Sequence, residues 1–290
     1  MVAAAFFERI VQMWNLATLE KSAEFETTLS FGGRRLALDP TGELCATAAW
    51  EGGTRGGVAC YETKSGRRVW HRRDLEQTQR LRFSAGGTNL WCVPDTGPTK
   101  LLDSVNGNTL EALTALADIY ESPYSGGLFL EKRKHDYRLG SDSDICIPRL
   151  SFAVLDVAFS KGSLIISEAG GPVRCLENST GVELWRYTPS ASSHLLRLWY
   201  RERDDNFYGI HWEYRAGSFR TLVRLEGSTG QFDQVCGLGS WEEEYCISLD
   251  KLITSDGELI GLTDGRPLGR LAFPSKLYPD QGSDKEPRTN

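Results

Sequence analysis

No C-x-x-C pair occurs anywhere in the chain, which excludes zinc-ribbon and thioredoxin-like spacings. The seven cysteines are odd in number and never closer than ten positions apart. That pattern fits unpaired thiols in a reducing compartment. Gly-x-Ser-x-Gly is absent, and so is any H-x-x-x-H or H-E-x-x-H pair among His71, His135, His194 and His211. These histidines read as surface or half-buried side chains with no task. The net charge of −6 is modest and mixed in sign, which argues against an electrostatic nucleic-acid binder. No apolar run is long enough for a membrane span. Met1–Phe7 is apolar, but it lacks a basic n-region and is cut short by Glu8-Arg9, so a signal peptide is not expected.

What the chain does have is a repeat. A glycine turn recurs as Lys64-Ser65-Gly66, Val105-Asn106-Gly107, Ser179-Thr180-Gly181, Ser228-Thr229-Gly230 and Thr263-Asp264-Gly265. Five residues before each glycine stands an apolar residue: Tyr61, Leu102, Leu176, Leu225 or Ile260. Leu19 fills the glycine slot of an opening copy, with Trp14 five before it. Asn15, Glu62, Asp103, Glu177 and Glu226 follow the apolar position, and only Gly261 departs. Val69, Leu110, Leu184 and Leu268 stand three residues after their turns. Glycine supplies the positive φ of a tight hairpin, and the acidic residue can bond the turn. A second phrase lies upstream: Leu38-Asp39-Pro40-Thr41-Gly42, Phe83-Ser84-Ala85-Gly86-Gly87 and Phe159-Ser160-Lys161-Gly162, each followed by an apolar strand. Two hairpins make a four-stranded unit.

That unit resembles a WD repeat, with Trp14-Asn15, Tyr61-Glu62, Leu102-Asp103, Leu176-Glu177 and Leu225-Glu226 at the dipeptide position. Two copies also resemble the quinoprotein (PQQ-like) repeat T-G-x-x-x-W: Ser65–Trp70 and Thr180–Trp185. The Gly-His pair typical of WD repeats is absent, so the choice between the two propeller families stays open. The resemblance spans roughly residues 10–272. It implies an all-β propeller of four-stranded antiparallel blades. Anchors at 19, 66, 107, 181, 230 and 265 leave one double interval of 74 residues. A further blade is expected there, within Gly127–Ile147, with Tyr137 at the dipeptide position and Gly140–Asp144 as the turn. Seven blades result, with six as the alternative. The chain opens inside a blade, so N-terminal strands are expected to close the ring with one from the C-terminal end. An amphipathic helix over Phe6–Trp14 is the competing reading of the opening stretch. The propeller is assigned residues 1–274, and the polar stretch 275–290 reads as a disordered tail.

Chemistry is harder to find. Glu242-Glu243-Glu244 and Asp204-Asp205 read as solvated loop charge. Ser141-Asp142-Ser143-Asp144 alternates oxygen ligands but lacks the glycine and glutamate of a calcium loop. Quinoprotein dehydrogenases carry adjacent cysteines at their cofactor. This chain has no Cys-Cys pair, so no cofactor is expected. Cys60 and Cys175 occupy one repeat position and read as small buried hydrophobes. Large aromatics in loops beside charge are the usual anchors of a binding face. On that ground Trp50 with Arg55, Trp212 with Tyr214, and Trp241 with Glu243 are candidate binding residues, and His71-Arg72 a basic addition. The expected function is a monomeric, cytoplasmic, non-enzymatic scaffold for a protein partner, regulatory or immunity-type. A hydrolase or lyase with its site in the central channel is the alternative.

Overall fold

The computed structural model describes residues 2–5, 10–27, 35–49, 57–75, 78–84, 86–94, 97–112, 119–121, 129–133, 136–140, 145–146, 150, 153–190, 192–213, 219–238, 245–248, 250–254 and 257–271. They are almost entirely antiparallel strand. The first sheet has three strands: β1 (Val2–Ala5), β2 (Ile10–Trp14) and β3 (Lys21–Glu26). Six four-stranded sheets follow in chain order. The second holds β4 (Arg35–Leu38), β5 (Leu44–Ala49), β6 (Gly57–Glu62) and β7 (Arg68–Arg72). The third holds β8 (Thr78–Phe83), β9 (Asn89–Pro94), β10 (Lys100–Asp103) and β11 (Thr109–Ala112). The fourth holds β12 (Ile119–Glu121), β13 (Phe129–Arg133), β14 (Asp136–Gly140) and β15 (Ile145–Cys146). The fifth holds β16 (Val154–Phe159), β17 (Ser163–Glu168), β18 (Val173–Glu177) and β19 (Glu183–Tyr187). The sixth holds β20 (Ser193–Arg201), β21 (Asn206–Glu213), β22 (Phe219–Glu226) and β23 (Phe232–Leu238). The seventh holds β24 (Tyr245–Ser248), β25 (Lys251–Thr254), β26 (Glu258–Gly261) and β27 (Pro267–Arg270).

The repeat turn has one geometry throughout. In all six copies the anchor residue's N–H donates to the carbonyl four residues back, as in Gly66 to Glu62 at 2.9 Å and Leu19 to Asn15 at 2.7 Å. The anchor lies in the left-handed region, at φ 66° for Gly66 and 71° for Gly181. Leu19 adopts φ 60° without glycine's freedom. The acidic residue braces the turn, though more often through a hydroxyl than directly. Asp103 accepts from the N–H of Val105 and Asn106, whereas Glu177 and Glu226 accept from the hydroxyls of Thr180 and Thr229. Those hydroxyls in turn accept the N–H groups of Val182 and Gln231.

Glycine at the anchor also admits the neighbouring sheet. A Cβ on Gly107 would stand 2.7 Å from the Trp70 ring, and one on Gly230 would stand 2.4 Å from the Trp185 ring. Each tryptophan also donates its indole N–H across the joint at 2.8 Å, Trp70 to Ser104 O and Trp185 to Gly227 O. Phe25 and Cys236 occupy the same place against Gly66 and Gly265. The last strand of one sheet thus packs onto the turn of the next.

The core lies between sheets, face against face. One apolar cluster joins the second and third sheets through Val58, Trp70, Leu90 and Leu102. Others join the fifth to the sixth, the sixth to the seventh, and the seventh to the first. That last cluster sets Trp14 and Leu16 against Ile253, Leu259 and Leu271, and Lys251 Nζ donates to Leu16 O at 3.0 Å. The first and seventh sheets therefore meet side by side. First strands approach one another across sheets, β4 to β8, β12 to β16 and β16 to β20. Sheets that crowd at their first strands around an axis form a β-propeller.

Ile10–Trp14 is strand, not helix: it is paired antiparallel with β1 on one side and β3 on the other, and Val11 to Trp14 are all buried. A four-stranded sheet, β12–β15, stands where the hidden repeat is expected, but Tyr137 is the second residue of β14, and the penultimate place that Tyr61, Leu102, Leu176 and Leu225 hold on their third strands falls to Leu139. Its turn residues 141–144 and the tail 272–290 lie outside the described residues. Leu110, Leu184 and Leu268 are exposed on the outermost strands, so three of the four apolar residues after the turns do not face the core.

Candidate functional site

The sixth sheet is built longer than its neighbours, and the aromatic concentration sits on it. Its strands run nine, eight, eight and seven residues. Ladder pairing continues through Trp212 and Glu213, opposite Arg220 and Phe219. Trp212 is therefore not in a loop, as its position after an apolar run suggests. It is a half-buried strand residue, held between His194 on β20 and Arg220 on β22. The Arg220 guanidinium lies over the indole at 5.7 Å, an arrangement that favours a cation above a π face. The His194 ring meets the indole edge-on at 6.4 Å. His194 Nδ1 accepts the Gly170 N–H at 3.0 Å, so its own ring proton sits on Nε2 when neutral. On the other face of the same strand end, Phe219 is 62 % exposed. His211, one residue from Trp212, meets Phe232 edge-on, and burial lowers its pKa below the ordinary imidazole value.

The opposite end of the sheet is polar. Asp204 accepts from Arg201 and from the Tyr208 hydroxyl at 2.7 Å, and Arg201 reaches Thr263 Oγ1 of the seventh sheet at 3.1 Å. Burial alone would raise the Asp204 carboxyl. Its bonds to Arg201, Tyr208 and Asn206 outweigh that and hold it at about 2. Asp204 is thus part of a joint between sheets rather than solvated loop charge. A cavity of 340 Å³ opens beside it, lined in part by Asp205, Arg224, Glu226 and Asp233. Arg224 and Asp233, opposite each other on β22 and β23, pair at 2.6 Å on its wall.

His71 and Arg72 lie on β7, the outer strand of the second sheet, far along the ring from Trp212. Arg72 forks onto Asp74 with two bonds of 2.7 Å and donates to Gly107 O at 2.6 Å. It stitches the second sheet to the third. Trp50, Arg55, Tyr214, Trp241 and Glu243 lie outside the described residues. Among those described, Trp212 is the candidate that keeps company with further aromatic and basic groups. Phe219, Arg220 and His194 were missed in the sequence because they are contiguous only through the ladder.

Cys60 and Cys175 are fully buried, as their shared repeat position implies. Burial pushes their thiols up to about 12 and about 11, so neither is a nucleophile near neutral pH. Among the described residues no three His, Cys, Asp or Glu side chains are arranged to hold a metal ion, and no helix is long and apolar enough to cross a membrane.

No family model matches the chain, and no curated protein does. Solved structures do. A computationally designed protein, Ika8, is similar over 90 % of this chain and 80 % of its own, at 15 % identity and a TM-score of 0.62. Dihydro-heme d1 dehydrogenase NirN, solved in complex with DHE, is similar over 94 % of this chain at 16 % identity and a TM-score of 0.59. This chain covers 63 % of NirN's length. At such identities the likeness is one of fold, and it agrees with the propeller built above from the strands.

Proposed function

We propose that this chain is a non-enzymatic, monomeric scaffold that binds a protein partner through the aromatic end of its sixth sheet. In this reading each of the sheets is one blade of a seven-bladed ring of the WD-repeat or quinoprotein-like kind. The observation that carries it is Phe219, a phenylalanine exposed at the strand end that holds the Trp212–Arg220 pair on its other face. Tryptophan and arginine are enriched at interfaces, and a large apolar group exposed at the same strand end is what a partner would cover. The strands beneath are paired on both sides, so the patch is presented rigidly and binding requires little rearrangement.

Affinity capture on the tagged full chain tests this, with wild type set against Phe219→Ser and Trp212→Ala. One discrete partner, captured saturably and lost from the folded Phe219→Ser protein, is the expected result. Equal capture by both proteins, or none by wild type, would remove the patch as the binding surface.

A further inference from the structure

The ladders carry one repeat position through every four-stranded sheet. Tyr61, Leu102, Leu139, Leu176, Leu225 and Ile260 on the third strands pair with Cys45, Leu90, Leu130, Leu164, Phe207 and Leu252 on the second. Those pair in turn with Leu38, Phe83, Tyr120, Phe159, Tyr200 and Ile247 on the first strands. The first-strand residue is aliphatic or aromatic each time. In the first sheet Trp14 holds the third-strand place and pairs with Val2. β1 is therefore a second strand, and β3 the outer one. β1 also approaches β4 of the next sheet, as the second strands β5 and β17 approach β8 and β20. Among the described residues the order of the first sheet ends at β1, where each of the other six continues to a first strand.

After each outer strand the chain crosses to the first strand of the following sheet, as from β3 to β4 and from β19 to β20. The crossing is short. Tyr120 stands eight residues beyond Ala112, Phe83 eleven beyond Arg72, and Phe159 thirteen beyond Cys146. The outer strand of the seventh sheet, β27, ends at Arg270. Leu271 carries the chain into the joint with the first sheet. It is buried in one apolar cluster with Trp14 and Leu16, and its N–H donates to Gly257 O at 2.8 Å. Eight residues beyond Arg270 stands Tyr278, in the run Ser275-Lys276-Leu277-Tyr278. The run is four residues long, as β1 is, and Pro274 and Pro279 bracket it. Proline removes a ladder donor, so the two mark the ends of the run. Gly282 follows Tyr278 by four residues, as Gly42 follows Leu38 and Gly87 follows Phe83. The stretch has both the spacing and the turn residue of a first strand.

We propose that residues 275–278 dock on the inner edge of β1 as the first strand of the first sheet, antiparallel, with Tyr278 opposite Val2 and Leu277 opposite Ala3. The chain then closes its own ring. An edge strand offers its free N–H and C=O groups to any other chain, and pairing from within covers them. The added ladder ties the seventh sheet to the first through the backbone as well as through the Trp14 cluster. These four residues then belong to the ring rather than to the polar tail. The strap lies on the inner strands and is independent of the aromatic patch on the sixth sheet's end.

Hydrogen exchange with a mass-spectrometric readout on the full chain tests this, beside a chain lacking 283–290 and one lacking 275–290. The expected result is protection of residues 276–278 by about tenfold or more over a free peptide. Loss of 283–290 should leave the exchange of β1 unchanged. Loss of 275–290 should speed it by about tenfold or more, while the buried strand β17 stays protected. Should the larger deletion unfold the chain, a full-length cysteine pair decides: Ala3→Cys with Leu277→Cys, set against Ala3→Cys with Lys285→Cys. Opposed residues on paired strands stand close enough for a disulfide. One intramolecular disulfide is expected from the first pair and none from the second. Free exchange at 276–278, unchanged exchange of β1 without 275–290, equal crosslinking in both cysteine pairs, or a disulfide formed only between two copies would overturn the strap.

Discussion

The fifth and sixth sheets are neighbours with the same topology and the same turn, yet they differ in length and content. The fifth uses strands of six, six, five and five residues, and every residue of β17 is buried. The sixth extends its strands to nine and eight residues and carries exposed or half-buried aromatics at one strand end. The fifth contains little beyond what the ring requires. Part of the sixth sheet's added length is core, since Ser193 and Leu238 at its strand ends are buried, but it also carries Phe219 out to the surface. The same division appears among the tryptophans. Trp185 closes the joint between these two sheets, whereas Trp212 lies at the strand end under Arg220.

Substitutions can break or sharpen that division. The largest effect is expected at the joint. Trp185→Ala should cost about 3–5 kcal/mol in denaturant unfolding, through lost packing and the unpaired Gly227 carbonyl. Gly230→Val should cost about as much, because a Cβ there meets the Trp185 ring at 2.4 Å and the residue sits at φ 70°. If either variant unfolds like wild type, the turn is not the joint described here.

A smaller effect is expected at Asp204. Its carboxyl is held at about 2 in the folded state, below the ordinary value near 3.8. A depressed acid stabilises the fold when ionised, so that contribution is present above about pH 4 and is lost as pH falls toward 2. Allowing for solvent screening, Asp204→Asn should cost about 1 kcal/mol near neutral pH and progressively less as pH falls through that window. A cost that does not change with pH would mean that shape rather than charge matters there.

The smallest effects are expected on the exposed apolar residues. Phe219→Ser, Leu110→Ser and Leu184→Ser should each shift unfolding by no more than about 0.5 kcal/mol. Only the first should alter partner binding. A stability loss above 2 kcal/mol in Phe219→Ser would place that side chain in the core and dissolve the distinction.

The turns were legible in the sequence because few residues adopt φ near +70° and glycine marks each one. Leu19 shows the limit: its turn is the same, but only the spacing to Trp14 reveals it. The buried cysteines were legible for a similar reason, since a small residue recurs at one repeat position. Strand length was not. Alternation along Asn206–Glu213 gives no sign of where pairing stops, so Trp212 read as a loop residue although it has cross-strand partners on both sides. The Arg72 and Arg201 joints depend on which turn of the next sheet each side chain meets, a relation between residues tens of positions apart.

The contrast between a plain sheet and an elaborated one is tested most directly by site-specific photocrosslinking in native lysate. A benzophenone amino acid is placed at position 219 of the sixth sheet or at position 110 of the third, both exposed and apolar in the folded chain. The expected result is one discrete crosslinked species from position 219 and none from position 110. Equal crosslinking from both positions, or crosslinking from position 110 alone, would contradict the assignment of binding to the sixth sheet.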